Sequence, residues 1–522
     1  MESTNSFGPG LSRRGVLQGA SALGTAALLG PLGSSRAAAQ PKQGGTLRLG
    51  IAHGSTTDTL DPGILENVFT QVHAQCRHNQ LTEILPDGSL TGEVAESWEA
   101  SPDARTWTFK IRDGLTFHSG KTVTPDDVIA SINYHRGEDS TSVAKPIVAS
   151  VTDLTADGSN VVVTLEDGNA DFATLMADYH IAIMPGIDGR IDPASVDGCG
   201  PFVHQEWEPG VRAYVTRNPN YWKEGKPYFD AVELLSIIDP AARQNAVVSG
   251  EVDVIDRVDL QTVGLLQRAP GIQVLATSGT EHYGFPMDTR AAPFSDNNVR
   301  QALKYAIDRQ ELVDKILFGY GEIGNDHPIG RSNRYFAADL EQHAYDPDKA
   351  KFYLKEAGLD NLAVDIHVAD AAFAGCVNSA LLYSEKAAAA GITINVVREP
   401  NDGFWSNVWM VKPWSATYWG GRPTEDWMFS TTYARGAPWN ETFWDNDRFN
   451  ELLVMGRAEL DDEKRREIYF EMQDLVSNQG GIVIPMFGQY VMAHSDKIAH
   501  PEEVSALWTL DGFRAVERWW FA

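Results

Sequence analysis

The segment from Leu362 to Val397 constrains the fold more than any other part of the sequence. LAVDIHV, residues 362–368, predicts a buried strand, a helix follows from about Ala374 to Ala390, and Gly391 leads into a second strand, ITINVV. Strand, helix and strand in this order form a βαβ unit with parallel strands and a right-handed crossover. The segment therefore predicts helices layered on a sheet.

Strand and helix patterns alternate along the rest of the chain. In TWTFKIRDGLTF, Trp107 and Phe109 share one face of a strand, and Asp113-Gly114 predicts a turn that closes a half-buried hairpin. One long amphipathic helix is predicted over residues 296–319, DNNVRQALKYAIDRQELVDKILFG. Together these patterns predict an α/β fold with more than one sheet.

Three further helices have clear ends. Thr124 can cap a helix that begins at Pro125, and a helix from Pro240 ends at Gly250 before the strand EVDVI. A charged helix over residues 461–477 leads through two glycines into the strand IVIPMF. Helix followed by strand is thus the repeated order after about residue 240.

Residues 1–39 have the pattern of an export signal. Arg13 and Arg14 precede a weakly apolar run, Gly19–Leu32, and Ala37 and Ala39 provide an A-x-A cleavage site. This resembles a twin-arginine signal, so we expect a periplasmic protein; a cytosolic N-terminal helix is the alternative. No cysteine stands near the cleavage site to carry a lipid anchor.

Composition excludes several classes of partner. The formal net charge of −28 disfavours nucleic acid and anionic membranes, because their phosphate groups repel such a field. No apolar run after the signal approaches the ~20 residues of a membrane helix, so we expect no membrane insertion. Cys76, Cys199 and Cys376 are too few and scattered for a disulfide framework or a zinc site, and buried small apolar residues are the simplest interpretation.

Sequence motifs of catalysis are missing. The chain has no H-E-x-x-H, no C-x-x-C and no G-x-S-x-G. FHSGKT imitates the end of a phosphate-binding loop, but the first glycine would have to be residue 115, which is Leu115. The sequence therefore predicts no enzyme, no metal site and no cofactor.

The unusual feature is a concentration of aromatic residues late in the chain. Seven of the fourteen tryptophans stand between residues 405 and 444: Trp405, Trp409, Trp414, Trp419, Trp427, Trp439 and Trp444. Burial in a core is one interpretation. Segments such as YWGGRPTEDW, residues 418–427, instead mix aromatics with glycine, proline and charges, which is typical of loops that line a small-molecule site.

Four segments give the chain a family resemblance. They are residues 95–136, AESWEASPDARTWTFKIRDGLTFHSGKTVTPDDVIASINYHR, and, further along, GPFVHQEWEPGVRAYVTRNPNYW, IDPAARQNAVVSGEVDV and PFSDNNVRQALKYAIDRQELVDKILFGYG. They resemble, in order, segments of the periplasmic solute-binding proteins that include the dipeptide-, oligopeptide- and nickel-binding components of ABC importers. The resemblance covers nearly the whole chain after the signal.

The resemblance implies a two-lobed periplasmic-binding-protein fold that closes on solute like a hinged trap. Lobe one would comprise residues 40–76, 190–286 and 496–522, an extra subdomain of lobe one residues 77–189, and lobe two residues 287–495. The loaded form would dock on the membrane subunits of an ABC permease, and monomers are usual in the family.

The resemblance also implies four ligand-binding regions. They are the early loop near Thr57, the GCGPF segment, the EHYGFPMD segment between the lobes, and YWGGRPTEDW. The residues carried over by position, with one aromatic from the tryptophan-rich segment, are Thr57, Cys199, Gly200, His282, Tyr283, Trp405, Trp419, Gly420, Gly421, Arg422 and Asp426.

Arg422 departs from the pattern of the peptide-binding members. In those proteins an aspartate three places after a loop tryptophan binds the α-ammonium group of the ligand, and three places after Trp419 is Arg422. A guanidinium repels an ammonium group but matches a carboxylate in two-pronged fashion. Two alternatives stay open: a shifted alignment that makes Asp426 the acceptor, and an Arg422 paired with Glu425 or Asp426 outside the site.

The resulting hypothesis is an ABC importer component that captures a peptide-like or amino-acid-derived solute bearing a carboxylate. Aromatic residues would suit sugar rings as well, so a sugar-like or metal-chelate solute is the alternative within this class. A periplasmic enzyme is the competing class. Turnover of a ligand found by thermal shift would separate the two, because a binding protein returns its ligand unchanged.

Overall fold

Two separate β-sheets organise residues 41–522, which are the residues that the computed structural model describes. The predicted export signal, residues 1–39, lies outside this range. Among the described residues, no helix combines the length and the apolar character needed to cross a membrane.

The larger sheet has seven strands, and Thr46–Ile51 lies at its centre. This strand is parallel to Ala231–Ser236 on one side and to Val254–Ile255 on the other. Leu47 and Leu49 are fully buried, because alternate residues of a strand point to the same face. In spatial order the strands are Phe202–Glu208, Arg212–Arg217, Ala231–Ser236, Thr46–Ile51, Val254–Ile255, Tyr490–Ser495 and Ile272–Thr277. We call the part of the chain built on this sheet lobe one.

The smaller sheet has four strands and forms the centre of lobe two. Its strands are, in spatial order, Gly321–Ile323, Ile482–Gly488, His282–Pro286 and Thr417–Trp419. Every residue of Ile482–Gly488 is buried. The reason is that helices cover both faces: Asn297–Tyr305 contributes to the core on one side and Asp462–Gln479 to the core on the other.

The chain passes between the two sheets twice. Residues 278–281 join the edge strand of the larger sheet to His282–Pro286, and Gln489 joins Ile482–Gly488 to Tyr490–Ser495. Strand pairing therefore places His282–Pro286 in the smaller sheet and Tyr490–Ser495 in the larger one, and the lobe boundaries predicted after residues 286 and 495 stay a prediction.

The predicted βαβ unit is present in lobe two. Leu362–Val368 and Ile392–Arg398 are parallel, and helix Cys376–Ala387 connects them. The helix is shorter than predicted at both ends: Gly375, in the left-handed region with φ 81°, precedes it, and a 3₁₀ turn, Ala388–Ala390, follows it.

A third sheet, of four antiparallel strands, belongs to lobe one. Its strands are Ala95–Ala100, Thr106–Ile111, Asn160–Leu165 and Val151–Asp157. Trp107 and Phe109 are buried in its core, as their alternation predicted. The predicted hairpin is wrong, because Thr106–Ile111 pairs with Ala95–Ala100 and Asn160–Leu165 rather than with the residues directly after Asp113-Gly114. This core draws on residues from Leu81 to Cys199, and its agreement with the predicted subdomain 77–189 remains a proposal.

The predicted helix over residues 296–319 is two helices, Asn297–Tyr305 and Arg309–Ile316. Asp308 separates them, because its side chain accepts a hydrogen bond from the backbone N–H of Glu311 and caps a new helix. The other α-helices are Val68–Arg77, Pro125–Tyr134, Lys145–Val148, Phe172–Leu175, Pro240–Ser249, Val263–Leu266, Pro347–Glu356, Cys376–Ala387, Phe404–Asn407, Glu425–Thr432, Asp447–Ala458, Asp462–Gln479, Thr509–Gly512 and Ala515–Arg518. Short antiparallel pairs join Thr82–Ile84 to Leu90–Gly92, Gly186–Ile187 to Arg190–Ile191, and Ile498–Ala499 to Trp520–Phe521.

A buried charge network ties residues 514–518 to the short strand pair Thr82–Ile84 and Leu90–Gly92, which precedes the third sheet. Arg514 Nη1 lies 2.7 Å from Glu93 Oε1, and Arg518 Nη2 lies 2.7 Å from Glu83 Oε1. Glu83, Glu93 and Glu517 are close enough together to hold a cation. Arg514, Lys223 and Arg518 occupy these carboxylates, and they hold the pKa of Glu83 well below its usual range against the effect of burial. The cluster is therefore a structural ion-pair network.

Candidate ligand-binding site

The two crossings bring polar groups of both lobes together where the chain leaves one sheet and enters the other. Thr280, in the first crossing, donates its hydroxyl to the carbonyl oxygen of Leu507 at 3.2 Å, and Tyr490, after the second, donates to the same oxygen at 3.3 Å. Val258 N donates to Val491 O at 3.0 Å, so the loop after Val254–Ile255 also reaches this place. We call this region the cleft; it is bounded by residues 53–58, 256–260, 278–283, 419–422 and 507–508.

The YWGGRPTEDW segment enters the cleft from lobe two. Thr417–Trp419 is the edge strand that pairs with the start of His282–Pro286, and Thr424 then caps helix Glu425–Thr432 through a hydrogen bond from Trp427 N. Between strand and helix, Gly421 lies so close to the crossing that an added Cβ would be 1.9 Å from Thr280 Oγ1. Only glycine allows this approach, and it brings residues 420–423 against the junction of the lobes.

Arg422 is partly buried in the cleft. Its Nη1 donates to Gly420 O at 3.1 Å, and its guanidinium lies 5.9 Å from the ring centre of Trp419 and 5.7 Å from that of Trp427. No carboxylate of residues 41–522 lies within 4.0 Å of it. Burial lowers the pKa of Arg422, and Tyr179 and Asp178, both of lobe one, partly offset this effect. The site therefore contains a desolvated cation without an ion-pair partner among these residues.

Both alternatives for Arg422 are excluded by the partners of the two acidic residues that follow it. Asp426 is buried and forms an ion pair with Arg457, whose Nε lies 3.2 Å away. Glu425 is buried as well and accepts a hydrogen bond from Tyr335 N at 2.8 Å. Helix Glu425–Thr432 thus directs both carboxylates away from Arg422, and the prediction of Asp426 as a ligand residue is corrected.

Two further side chains, His282 and Tyr179, lie near the Arg422 guanidinium. His282 is buried, and burial lowers its pKa to about 4, so the ring is neutral; its Nε2 has no hydrogen-bond partner among the described residues. Tyr179 packs edge-on against Trp508, with ring centres 5.2 Å apart, and accepts a hydrogen bond from Gln71. A buried neutral imidazole and a tyrosine beside an unpaired arginine form a site for a polar group of a ligand.

The tryptophans divide between core and surface. Trp414, Trp419 and Trp444 are buried, whereas Trp405 and Trp439 are 40% and 48% exposed. Trp419 donates Nε1–H to Glu441 Oε1 at 3.0 Å, and Trp409 donates to the other oxygen of the same carboxylate. Burial raises the pKa of Glu441 to about 7. Trp419 is mainly a core residue with one edge at the cleft, and Trp405 packs on the exposed Tyr418 on lobe two.

Cys199 and Gly200 are not in the cleft. The thiol of Cys199 is 98% buried in the core of the third sheet, where burial raises its pKa to about 12. Gly200 packs against the backbone of Arg77, and its carbonyl oxygen accepts a hydrogen bond from Asn218. These two predictions are corrected, because GCGPF turns into the strand Phe202–Glu208 below the cleft. All three cysteines are free and buried.

Thr57 and Tyr283 lie at the rim of the cleft. Thr57 is exposed, in a turn where its hydroxyl lies 2.7 Å from Ser55 Oγ. Tyr283 stands beside the first crossing and donates its hydroxyl to Glu281 Oε1 at 2.8 Å. Contact of either residue with a ligand remains a prediction.

Sequence reasoning missed Tyr179, Arg257 and Tyr490. Arg257 stands two residues after the end of the strand Val254–Ile255, and ligands of open α/β sheets bind beyond the carboxyl ends of the strands, so this position could have been found. Tyr179 stands in the turn after the short helix Phe172–Leu175, and Tyr490 begins a strand, so no local signal marks either residue.

A separate surface cavity of about 540 Å³ lies at the far end of lobe two from the crossings. Arg300, Asn297, Trp444 and Asn446 contribute to its lining, and the amide and guanidinium groups already form hydrogen bonds within the protein. Arg300 Nη1 and Nη2 are bound by carbonyl oxygens, and its Nε is buried without a hydrogen-bond partner among the described residues, so most of its guanidinium is occupied within the protein.

Comparison with known proteins identifies the family. The model of the bacterial extracellular solute-binding proteins, family 5 Middle, matches residues 89–441. The chain belongs to this family. Solved structures of similar fold include the PBP AgaA from A. tumefaciens R10 in complex with agropinic acid, with a TM-score of 0.73 and 25% identity over 92% of this chain and 99% of that one. HbpA2 from Haemophilus parasuis matches with a TM-score of 0.80 and 21% identity over 90% and 99%.

Curated relatives of this family 5 protein match over a shorter length. Heme-binding protein A of Haemophilus influenzae is 27% identical over 328 residues, which are 57% of this chain and 59% of the relative. Glutathione-binding protein GsiB of Escherichia coli K12 is 26% identical over 325 residues, 60% and 61% of the two chains. The chain thus spans about 60% of the length of the curated relatives it matches.

Proposed function

We propose that this family 5 protein is the substrate-binding component of an ABC importer and captures a small, carboxylate-bearing solute in the cleft. The solute is peptide-like or amino-acid-derived, and the loaded protein delivers it to membrane permease subunits. The unpaired guanidinium of Arg422 is the observation that carries this proposal. Export to the periplasm through the twin-arginine signal of residues 1–39 belongs to the same proposal.

The electrostatics of Arg422 favour an anionic group over an ammonium group. A buried charge without a partner is costly, and a carboxylate bound in the cleft would remove that cost through two parallel N–H···O bonds. An ammonium group would add repulsion in a site of low polarity. The neutral His282 and the aromatic rings of Trp419 and Trp427 would surround the uncharged part of such a solute.

Relatives support a solute of this kind without fixing its identity. Glutathione and agropinic acid, which appear in the names of the relative and of the structure described above, are both amino-acid-derived acids. A sugar-like or metal-chelate solute is the second candidate, and the exposed rings of Trp405, Tyr418 and Trp439 favour it, since flat aromatic surfaces stack on rings.

Capture of a natural solute tests the proposal. The chain without residues 1–39 would be unfolded in urea to release any ligand, refolded, incubated with the small-molecule fraction of a bacterial extract and washed; mass spectrometry would then identify what it retains. We expect a carboxylate-bearing solute of unchanged mass.

Arg422→Gln should weaken binding of that solute by about tenfold or more, because the desolvated ion pair is lost. The exposed Arg435, paired with Asp445 on the same lobe, supplies the control Arg435→Gln, which should bind like the parent. A retained solute without an acidic group, an equal dissociation constant for Arg422→Gln, or a chemically altered solute would contradict the proposal, the last in favour of an enzyme.

A further inference from the structure

Arg257 occupies an unusual backbone position at the cleft. It follows the strand Val254–Ile255 and has a φ of 45°, in the left-handed region that non-glycine residues rarely adopt. The conformation is held from both sides: Arg243 donates to its carbonyl oxygen at 2.8 Å, and the next residue, Val258, donates to Val491 at 3.0 Å. A strained position fixed in this way is typical of functional sites.

The side chain of Arg257 is exposed and unpaired. Within residues 41–522 its guanidinium forms neither an ion pair nor a hydrogen bond. Close by, Leu260 packs against the cores of both lobes, so the loop 256–260 lies where the lobes meet. Arg257 therefore presents a free guanidinium from lobe one into the junction that Arg422 enters from lobe two.

Tyrosines connect the surroundings of the two arginines. Arg257 is close enough to Tyr490 and Tyr283 to oppose the rise that burial causes in their pKa, and Arg422 acts in the same way on Tyr179. Tyr490 in turn acts on the pKa of Tyr179. Tyrosine side chains thus link the surroundings of the two guanidinium groups, and Tyr490 donates its hydroxyl to Leu507 O at 3.3 Å in this region.

Most acidic groups nearby already accept hydrogen bonds. Asp256 accepts one from Ala52 N at 2.7 Å, and its other carboxylate oxygen is buried without a hydrogen-bond partner among the described residues and forms no ion pair with Arg257. Glu281 accepts the hydrogen bond of Tyr283, and Asp58 accepts hydrogen bonds from Ser55 N and from the side chain of Asn67. Asp178 is bound by His180. None of these carboxylates lies within ion-pair distance of Arg257 or Arg422.

We propose that Arg257 is a second anion-binding residue of the cleft and that the solute carries two acidic groups, one bound by Arg257 of lobe one and the other by Arg422 of lobe two. This inference rests on the proposed function and narrows it to diacids. A diacid that contacts both arginines would stabilise the closed arrangement, because only there are both guanidinium groups within its reach.

The number of acidic groups on the captured solute provides the first test. Methyl esterification of the solute released from the wild-type chain, followed by mass spectrometry, counts its carboxylates. We expect two or more, and we expect the fully esterified extract to yield no captured solute. A single acidic group would overturn this inference and leave the proposed function intact.

The second test uses matched variants titrated calorimetrically with the captured solute. Arg257→Gln should weaken binding by about tenfold, while Arg268→Gln, which removes an exposed charge from the same lobe, should not. Arg257→Lys should fall between them, because it keeps the charge and loses the two-pronged geometry. Equal affinity of Arg257→Gln and the parent, with unchanged melting curves, would overturn the inference alone. If the wild-type protein retains no acidic solute, both the proposed function and this inference are overturned.

Discussion

At the scale of single residues, the cleft depends on which charges are paired. Asp426 follows Arg422 by four positions and is satisfied by Arg457, whereas Arg422 bonds only to a backbone oxygen. Trp419 contributes differently: its indole N–H is fixed by Glu441, so its ring is held rigidly beside Arg422. A rigid wall lowers the entropy cost of binding, because fewer side chains become ordered when the solute enters.

Glu441 should make stability depend on pH. Burial raises its pKa from 4.5 to about 7, so the folded state holds the proton more tightly than the unfolded state. The stability that this proton provides is complete below about pH 4.5 and is lost as the pH rises to about 7.

Glu441→Gln should therefore raise the free energy of unfolding by about 2 to 3 kcal/mol at about pH 8 and leave it unchanged at about pH 4, as measured by urea titration. The glutamine side chain keeps one carbonyl oxygen, which can still accept a hydrogen bond from one indole N–H. Glu467→Gln, on the exposed face of Asp462–Gln479, is the control and should change neither value. Equal curves for the two variants would contradict this account.

At the scale of elements, the site is made by the close approach of an edge strand to a crossing. Thr417–Trp419 pairs with His282–Gly284, and the segment after it must pass Thr280 before the next helix begins. Gly420 and Gly421 have different surroundings there. A Cβ on Gly420 would meet nothing within 4 Å, whereas one on Gly421 would clash with Thr280.

Gly421→Ala should therefore move either the YWGGRPTEDW loop or the crossing. We expect it to cost about 1 to 3 kcal/mol of unfolding free energy and to weaken capture of the solute. Gly420→Ala, one residue away, should change stability by less than about 0.5 kcal/mol. Chemical denaturation and solute titration of the pair provide the comparison, and similar behaviour of both variants would disprove the steric argument.

Local sequence patterns predicted the helices and strands better than they predicted how the strands pair. The βαβ unit was predictable because its hydrophobic periodicity and its glycine are local features of the sequence. The helix at Pro125 was predictable because its capping residues are also local. The prediction of a single helix over residues 296–319 was wrong because Asp308 can either stand inside a helix or cap a new one. Only tertiary packing decides between these two conformations. In the candidate site, Arg422 could be named from the sequence because a motif marks its position, and its contact with a ligand stays a proposal. Cys199 was misplaced because a family resemblance locates a segment, whereas tertiary packing decides whether a side chain in the bend before Phe202–Glu208 faces the cleft or a core.

At the scale of the whole molecule, the lobes also meet away from the crossings. Asp171, in the part of lobe one that carries the third sheet, forms a buried ion pair of 2.7 Å with Arg465 of lobe two. Ala170 N donates to Arg457 O at 2.7 Å beside it. These contacts exist only while the lobes are together, so they favour the closed arrangement.

Asp171→Asn should shift the solute-free protein toward an open arrangement, because Arg465 would lose its partner in a buried place. Small-angle X-ray scattering should show a larger radius of gyration than for the parent, and solute affinity should fall while the identity of the solute stays the same. The exposed pair Arg105–Asp167 in the same part of the chain supplies the control Asp167→Asn. If the two variants scatter identically, the Asp171–Arg465 ion pair does not govern closure of the lobes.

The position of Tyr490–Ser495 inside the larger sheet has a consequence for biosynthesis. This strand lies between Val254–Ile255 and Ile272–Thr277, which are translated long before it. Until it emerges from the ribosome, both neighbours present unpaired edges that can associate with other chains. Lobe one can therefore complete its sheet only after lobe two has been made, and nascent chains stalled before residue 490 should be strong clients of chaperones.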